Sequence, residues 1–211
     1  MKTLAVLHTT PVTVQTMKDL HAKLKPEVRL VNILDDSLLS DVMQAGAPTA
    51  EVQYRMLSYA RNAQVAGADA VMCACSSVGE VVEALRPELK VPFLRVDEPM
   101  AQEAARLGKR IGVIATVNTT LEPTARLVER QGDVEVEKVL VEGAYQALVS
   151  GNSERHDELV RTALLRLLDR VDVVVLAQAS MARVVSTLNP APAKPVLSSP
   201  ESGLKKALES L

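Results

Sequence analysis

Aromatic residues are nearly absent: the 211-residue chain has no Trp, one Phe and three Tyr. Any core must therefore be built from the Val, Leu, Ala and Met within its 47% hydrophobic content. Runs of Lys or Arg are also missing, and 24 basic against 26 acidic residues leave a net charge of −2. A surface of mixed sign lacks the basic patch that nucleic acid or an acidic membrane requires, so neither is expected as a partner. No apolar run is long enough to span a bilayer. The opening stretch MKTLAVLHTT meets polar residues too soon for a signal peptide. Only two cysteines occur, Cys73 and Cys75, one residue apart in a strand-like run. They could pair only under severe strain, so they are read as free thiols of a cytoplasmic protein. The three histidines, His8, His21 and His156, give Cys-x-Cys no set of further zinc ligands, and no metal is expected.

What is present is an alternation of short β-branched runs with longer helical patterns. Strands are predicted over 4–7, 29–33, 70–73, 93–96, 111–114, 134–141, 173–176 and 195–197, and helices over 14–23, 49–66, 79–85, 100–107, 120–131, 153–169, 182–187 and 203–211. Several strands are unbroken apolar runs, as in a parallel sheet covered on both faces, so the expected class is α/β. The length suits one large domain or two small ones.

An internal repeat favours two. Aligning 67–85 with 170–188 pairs Asp69 with Asp172, Val71 with Val174, Ala74 with Ala177, Ser77 with Ser180 and Leu85 with Leu188, all at an offset of 103. The segment LAVLHT at 4–9 resembles IGVIAT at 111–116 at an offset of 107. Two similar α/β halves are expected, one formed by 1–97 with a return at 196–211 and the other by 98–195.

Ligands of open parallel sheets bind beyond the carboxyl ends of the strands. Four such ends carry small polar residues: His8-Thr9-Thr10, Cys75-Ser76-Ser77, Thr116 to Thr120, and Gln178-Ala179-Ser180. Backbone N–H groups and hydroxyls at these positions suit a carboxylate. Cys75 ends a strand just before a helix, where the dipole favours a reactive thiolate, whereas Cys73 is expected in the core. His8 is either a second acid/base or a histidine that binds loop backbone. His21 and His156 are expected on the surface, and Thr120 as a plain N-cap. Gln178 forms hydrogen bonds but cannot exchange a proton. Arg55 and Arg95 are charges available for a substrate, with no placement from sequence.

These strand ends resemble those of the aspartate/glutamate (hydantoin) racemase superfamily. Ala74-Cys75-Ser76-Ser77 stands where members carry Cys-Asn-Thr, and Ala177-Gln178-Ala179-Ser180-Met181 stands where they carry Gly-Cys-Ala-Gly-Met. Ala115-Thr116 matches the turn that opens the second half, and Asn118 lies where isomerase and decarboxylase members often have tyrosine. The resemblance implies two pseudosymmetric parallel-sheet lobes with the site between them, no cofactor, a small carboxylate as substrate, and a homodimer. It places Cys75 and Gln178 at the two catalytic positions, and His8, at the end of the first strand, is the further catalytic candidate. Thr9, Thr10, Ser76, Ser77, Thr116, Asn118, Thr119, Ala179 and Ser180 would contact substrate. The departure is Gln178, a glutamine in the place of the second cysteine. Symmetric two-thiol racemisation is therefore excluded. Three readings remain: an isomerase or racemase using Cys75 with a substitute partner, a one-cysteine lyase, and a non-catalytic carboxylate-binding protein. A thiol redox role is disfavoured because no Cys-x-x-Cys occurs.

Overall fold

The computed structural model describes residues 1–211 throughout. In chain order the elements are β1 (Thr3–His8), α1 (Val12–Leu24), β2 (Arg29–Leu34), α2 (Ser37–Ala45), α3 (Ala50–Val65), β3 (Ala70–Cys73), α4 (Gly79–Leu85), β4 (Phe93–Arg95), α5 (Glu98–Leu107), β5 (Arg110–Ala115), α6 (Asn118–Glu129), β6 (Glu135–Leu140), α7 (Ala144–Val149), α8 (Ser153–Leu168), β7 (Val173–Leu176), α9 (Ala182–Ser186), β8 (Val196–Ser198) and α10 (Ser199–Glu209). The chain divides into unit 1, Met1–Pro99 with Pro200–Leu211, and unit 2, Met100–Ser199. The return to unit 1 falls after β8 rather than at 195/196, because β8 is hydrogen-bonded to β7 and so belongs to the second sheet.

Each unit holds one four-stranded parallel sheet, ordered β2-β1-β3-β4 in unit 1 and β6-β5-β7-β8 in unit 2. Adding four to each strand number of the first sheet gives the second. The central strands β1, β3 and β7 are buried along their whole length, which is why they read as continuous apolar runs. The edge strands β2 and β6 keep partial exposure and carry charge at Arg29, Glu135, Glu137 and Lys138. Charged edges discourage pairing with other chains.

Side-chain alternation sends successive strand residues to opposite faces. In unit 1, Ala5, Leu7, Val71 and Cys73 pack beneath α2, α3 and α4, while Leu4, Val6, Ala70 and Met72 pack beneath α1 and α10. In unit 2, Ile114, Val174 and Leu176 face the α7–α9 side, and Val113, Ala115, Val173 and Val175 face α5 and α6. Gly112 shows how close the second packing is, since a Cβ there would sit 2.6 Å from Leu167.

The repeat extends to hydrogen bonds. Thr3 N–H donates to the Asp69 carboxylate at 2.8 Å, and Arg110 N–H donates to Asp172 at 2.9 Å. Ala74 N–H reaches Leu7 O at 2.9 Å, and Ala177 N–H reaches Ile114 O at 3.0 Å. These partners match at the two sequence offsets.

Four expectations change. Helices α2 and α7 were not expected; α7 is six residues long, too short to show a period. Thr120 lies inside α6, whose N-cap is Val117, so it is not the N-cap. His156 is fully buried, with Nδ1–H donating to Asp157 at 2.7 Å. His21 is half-buried, and its Nε2–H donates to Val28 O at 2.8 Å. No helix is long and apolar enough to cross a membrane.

Candidate active site

Cys75 follows β3 and lies on the same side of the sheet as Cys73, two residues back, packing at the margin of that core. Its backbone is extended (φ −141°, ψ 119°) and leads into a 3-10 turn, Ser76–Val78, before α4. Cys75 keeps part of its surface exposed, while Ser76 and Ser77 are buried. The crowding protein atoms dominate its acidity: burial pushes the Cys75 thiol above its ordinary value of 9.0. The Thr9 hydroxyl, the Ser77 N–H and hydroxyl, and the Val78 N–H pull in the other direction by stabilising the thiolate. The helix-dipole effect expected from sequence thus exists as discrete N–H donors, but burial outweighs it. The resting group is a thiol.

Thr9 deserves its place in the site for a separate reason. Its hydroxyl oxygen is buried and has no nitrogen or oxygen partner, which leaves the Cys75 sulfur as the group it can serve. Held beside the Cys75 sulfur, it is a donor available to a thiolate as soon as one forms. Thr10 has a local role instead, its hydroxyl accepting from Val12 N–H at 3.2 Å.

His8 does not serve as a free base. It is wholly buried, with Nε2 2.9 Å from Asn32 Oδ1 and Nδ1 2.7 Å from Thr13 Oγ1. The Asn32 oxygen only accepts, so Nε2–H donates to it, while Nδ1 is in contact with the Thr13 hydroxyl, which also reaches Thr10 O at 3.2 Å. Burial lowers the imidazole pKa more than the Asn32 bond raises it, so the ring is neutral. With both nitrogens engaged, His8 braces the end of β1 against β2.

In unit 2, Gln178 stands where Cys75 stands in unit 1: after β7, extended (φ −134°, ψ 140°), and opening a 3-10 turn, Ala179–Met181. Its Oε1 accepts from Thr116 N–H at 2.6 Å and from the Thr116 hydroxyl at 2.9 Å. Thr116 is the repeat partner of Thr9, so one threonine–strand-end pairing recurs with sulfur in one unit and an amide in the other. Ala179 and Ser180 are half-buried, Asn118 is exposed at the start of α6, and the Thr119 hydroxyl oxygen is buried without a partner.

The two arginines are not available as substrate charges. Arg95 has no exposed side-chain surface, and its guanidinium grips Asp97 through two bonds of 2.9 Å and Glu83 through one of 2.6 Å. Arg55 is bound by Asp35, Asp41 and Ser37. The Arg95 cluster was not legible in sequence, and it ties the end of β4 to the helix that follows Cys75. No group of His, Cys, Asp and Glu is placed to hold a metal ion. A groove of about 890 Å³ between β6 and α8, lined among others by Glu142, Arg155 and Arg166, contains none of the strand-end residues.

The raised thiol pKa has a measurable consequence. Alkylation requires thiolate, so iodoacetamide is expected to label Cys75 slowly near about pH 7 and progressively faster above about pH 9. Cys73, fully buried and likewise pushed up by burial, stays unlabelled until the chain unfolds. Because the folded thiols hold their protons to higher pH than unfolded ones, their contribution to stability is complete below the unfolded pKa. It is lost as pH rises through the folded values. Peptide mass spectrometry against pH checks both statements.

Two matched parallel α/β units, with serine and threonine at corresponding strand ends and Cys75 answered by Gln178, define a two-lobed racemase-type architecture. A profile of the Asp/Glu/hydantoin racemase family matches residues 1–207, and the chain belongs to that family. No curated protein sequence matches it. Solved structures do. Picrophilus torridus aspartate racemase is 14% identical with a TM-score of 0.76, over 100% of this chain and 94% of that one. An allantoin racemase from Klebsiella pneumoniae is 17% identical with a TM-score of 0.71, over 99% and 87%. An unliganded arylmalonate decarboxylase is 16% identical with a TM-score of 0.63, over 100% and 93%.

Proposed function

We propose that this chain is a cofactor-independent enzyme acting on a small carboxylate, in which Cys75 is the only proton-exchanging group and delivers a proton to one face of an enolate. The observation that carries this reading is the fate of the second thiol position. Gln178 cannot exchange a proton, and its carbonyl oxygen is held by two Thr116 bonds. His8 offers no substitute, because both ring nitrogens are occupied.

A resting thiol suits a general acid. Loss of carbon dioxide from a substrate carboxyl would leave the bonding electron pair on the α-carbon as an enolate. The Sγ–H proton then passes to that carbon and leaves a thiolate. Thr9 O–H and the N–H groups of Ser77 and Val78 stabilise that thiolate until water returns a proton. Racemases share this fold, as the aspartate and allantoin enzymes show by name, and so does a decarboxylase. The residues present here favour the lyase side of that range.

Small carboxylic acids incubated with the enzyme in D₂O and followed by NMR test the reading. One deuterium is expected at the α-carbon of a single product enantiomer. Deuterium appearing in both enantiomers, with the substrate racemised, overturns one-face chemistry.

A further inference from the structure

Gln178 is more than a lost cysteine. The atom of its amide facing Thr116 must be the oxygen, because the Thr116 backbone N–H is an obligate donor and lies 2.6 Å away. The Thr116 hydroxyl adds a second donor to the same oxygen at 2.9 Å. The carbonyl side of the amide is thereby fixed. Its NH₂ group has no partner, on a side chain that remains half-buried at the carboxyl end of β7. Three residues beyond Thr116, the Thr119 hydroxyl oxygen is buried and also without a partner. Unit 2 therefore offers oriented donors at its strand ends and, in Gln178, no group that titrates.

We infer that Gln178, pinned by Thr116, is a specificity-determining residue whose two N–H groups bind an oxyanion of the substrate, a carboxylate oxygen, as fixed donors. Preorientation is the physical point: an amide that needs no rearrangement loses little freedom on binding, and donation to a charged acceptor is stronger than to a neutral one. The site takes small carboxylates and discriminates against amides and esters of the same shape. This inference rests on the function proposed above only in taking the bound carboxylate to be substrate.

The test uses malonate as probe and malonamide as its neutral counterpart, titrated into uniformly ¹⁵N-labelled protein. The side-chain NH₂ pair of Gln178 is identified by its loss in Gln178→Glu. Malonate is expected to shift that pair, and malonamide far less. Gln178→Glu keeps an oxygen for Thr116 but replaces the donor with negative charge, and is expected to weaken malonate binding by roughly 10- to 100-fold. Thr116→Val keeps the N–H anchor, loses the hydroxyl and should weaken binding less. Gln178→Ala guards against a folding artefact, and the thermal transition of each variant is recorded alongside. Malonate that leaves the Gln178 pair unmoved, or binds Gln178→Glu as tightly as the wild type, overturns the inference, as does the absence of any malonate response. Cys75→Ser should preserve the shift. Failure of the D₂O experiment with the shift intact would therefore remove only the proton-donor reading.

Discussion

Cys75→Ala is expected to lower turnover by roughly 10²- to 10⁴-fold, the usual range for removing a general acid, while malonate binding changes little. The expectation follows from what remains when the sulfur is gone. The Thr9 hydroxyl and the N–H groups of Ser77 and Val78 still surround the position, but nothing there gives up a proton near neutral pH. Cys75→Ser should be nearly as inactive, since an alcohol is a far weaker acid than a thiol. Both variants should fold, because Cys75 sits at the margin of its cluster rather than in its centre. Steady-state rates beside a binding titration check the split between lost turnover and retained affinity. A wild-type protein that binds carboxylates and turns none over, matched in every respect by Cys75→Ala, identifies a binding protein instead.

The second large effect is on stability. Asp97→Ala is expected to cost about 3–5 kcal/mol, because it strands a fully buried guanidinium with half of its partners removed. Neither Arg95 nor Asp97 exposes any side-chain surface. Asp97 accepts two of the Arg95 bonds, and burial makes an uncompensated charge far more costly than one at the surface. Replacing both residues, as Asp97→Ala with Arg95→Met, should recover much of the loss, since no fully buried lone charge remains; Glu83, which loses its Arg95 bond, keeps partial contact with solvent. Urea unfolding of the single and double variants measures this, and a single-variant cost below about 1 kcal/mol overturns it. The cluster is peculiar to unit 1. At the offset of 103, Arg95, Asp97, Glu83 and Gly79 correspond to Ser198, Pro200, Ser186 and Ala182. Gly79 is required where the arginine exists, for a Cβ there would lie 2.4 Å from the guanidinium. Alanine stands at 182, where the position matching Arg95 is Ser198. The ionic brace thus stands behind the strand end that carries the thiol and is missing behind the one that carries the amide.

Much of the architecture is legible in the sequence. Ala70–Cys73 and Val173–Leu176 form strands at the predicted residues, because each is a short apolar run that begins just after an aspartate and ends two residues before a Cys-Ser or Gln-Ala turn. Helix α4 likewise matches its predicted span. The repeat could be read because matched packing demands similar residues at matched positions. Legibility failed where the signal was short or distant. Helix α7 carries too few turns to display a period, and α2 is nine residues long with Ser40 and Asp41 interrupting its apolar positions. His156 reads as surface from its charged sequence neighbours, yet a helix turns one residue in each cycle toward the core.

The amino-acid sequence alone determined the α/β class, the doubling of the unit, and the presence of one thiol and one amide at corresponding strand ends. Those features are written in neighbouring residues and in spacings that secondary structure repeats. Tertiary structure decided the state of each group. The Thr116–Gln178 bonds join residues 62 apart, and they exist because β5 and β7 lie side by side. The neutrality of His8 and the protonation of Cys75 follow from burial by many elements at once. Desolvation and long-range hydrogen bonds depend on which segments become neighbours in space, and no local pattern in a chain records that.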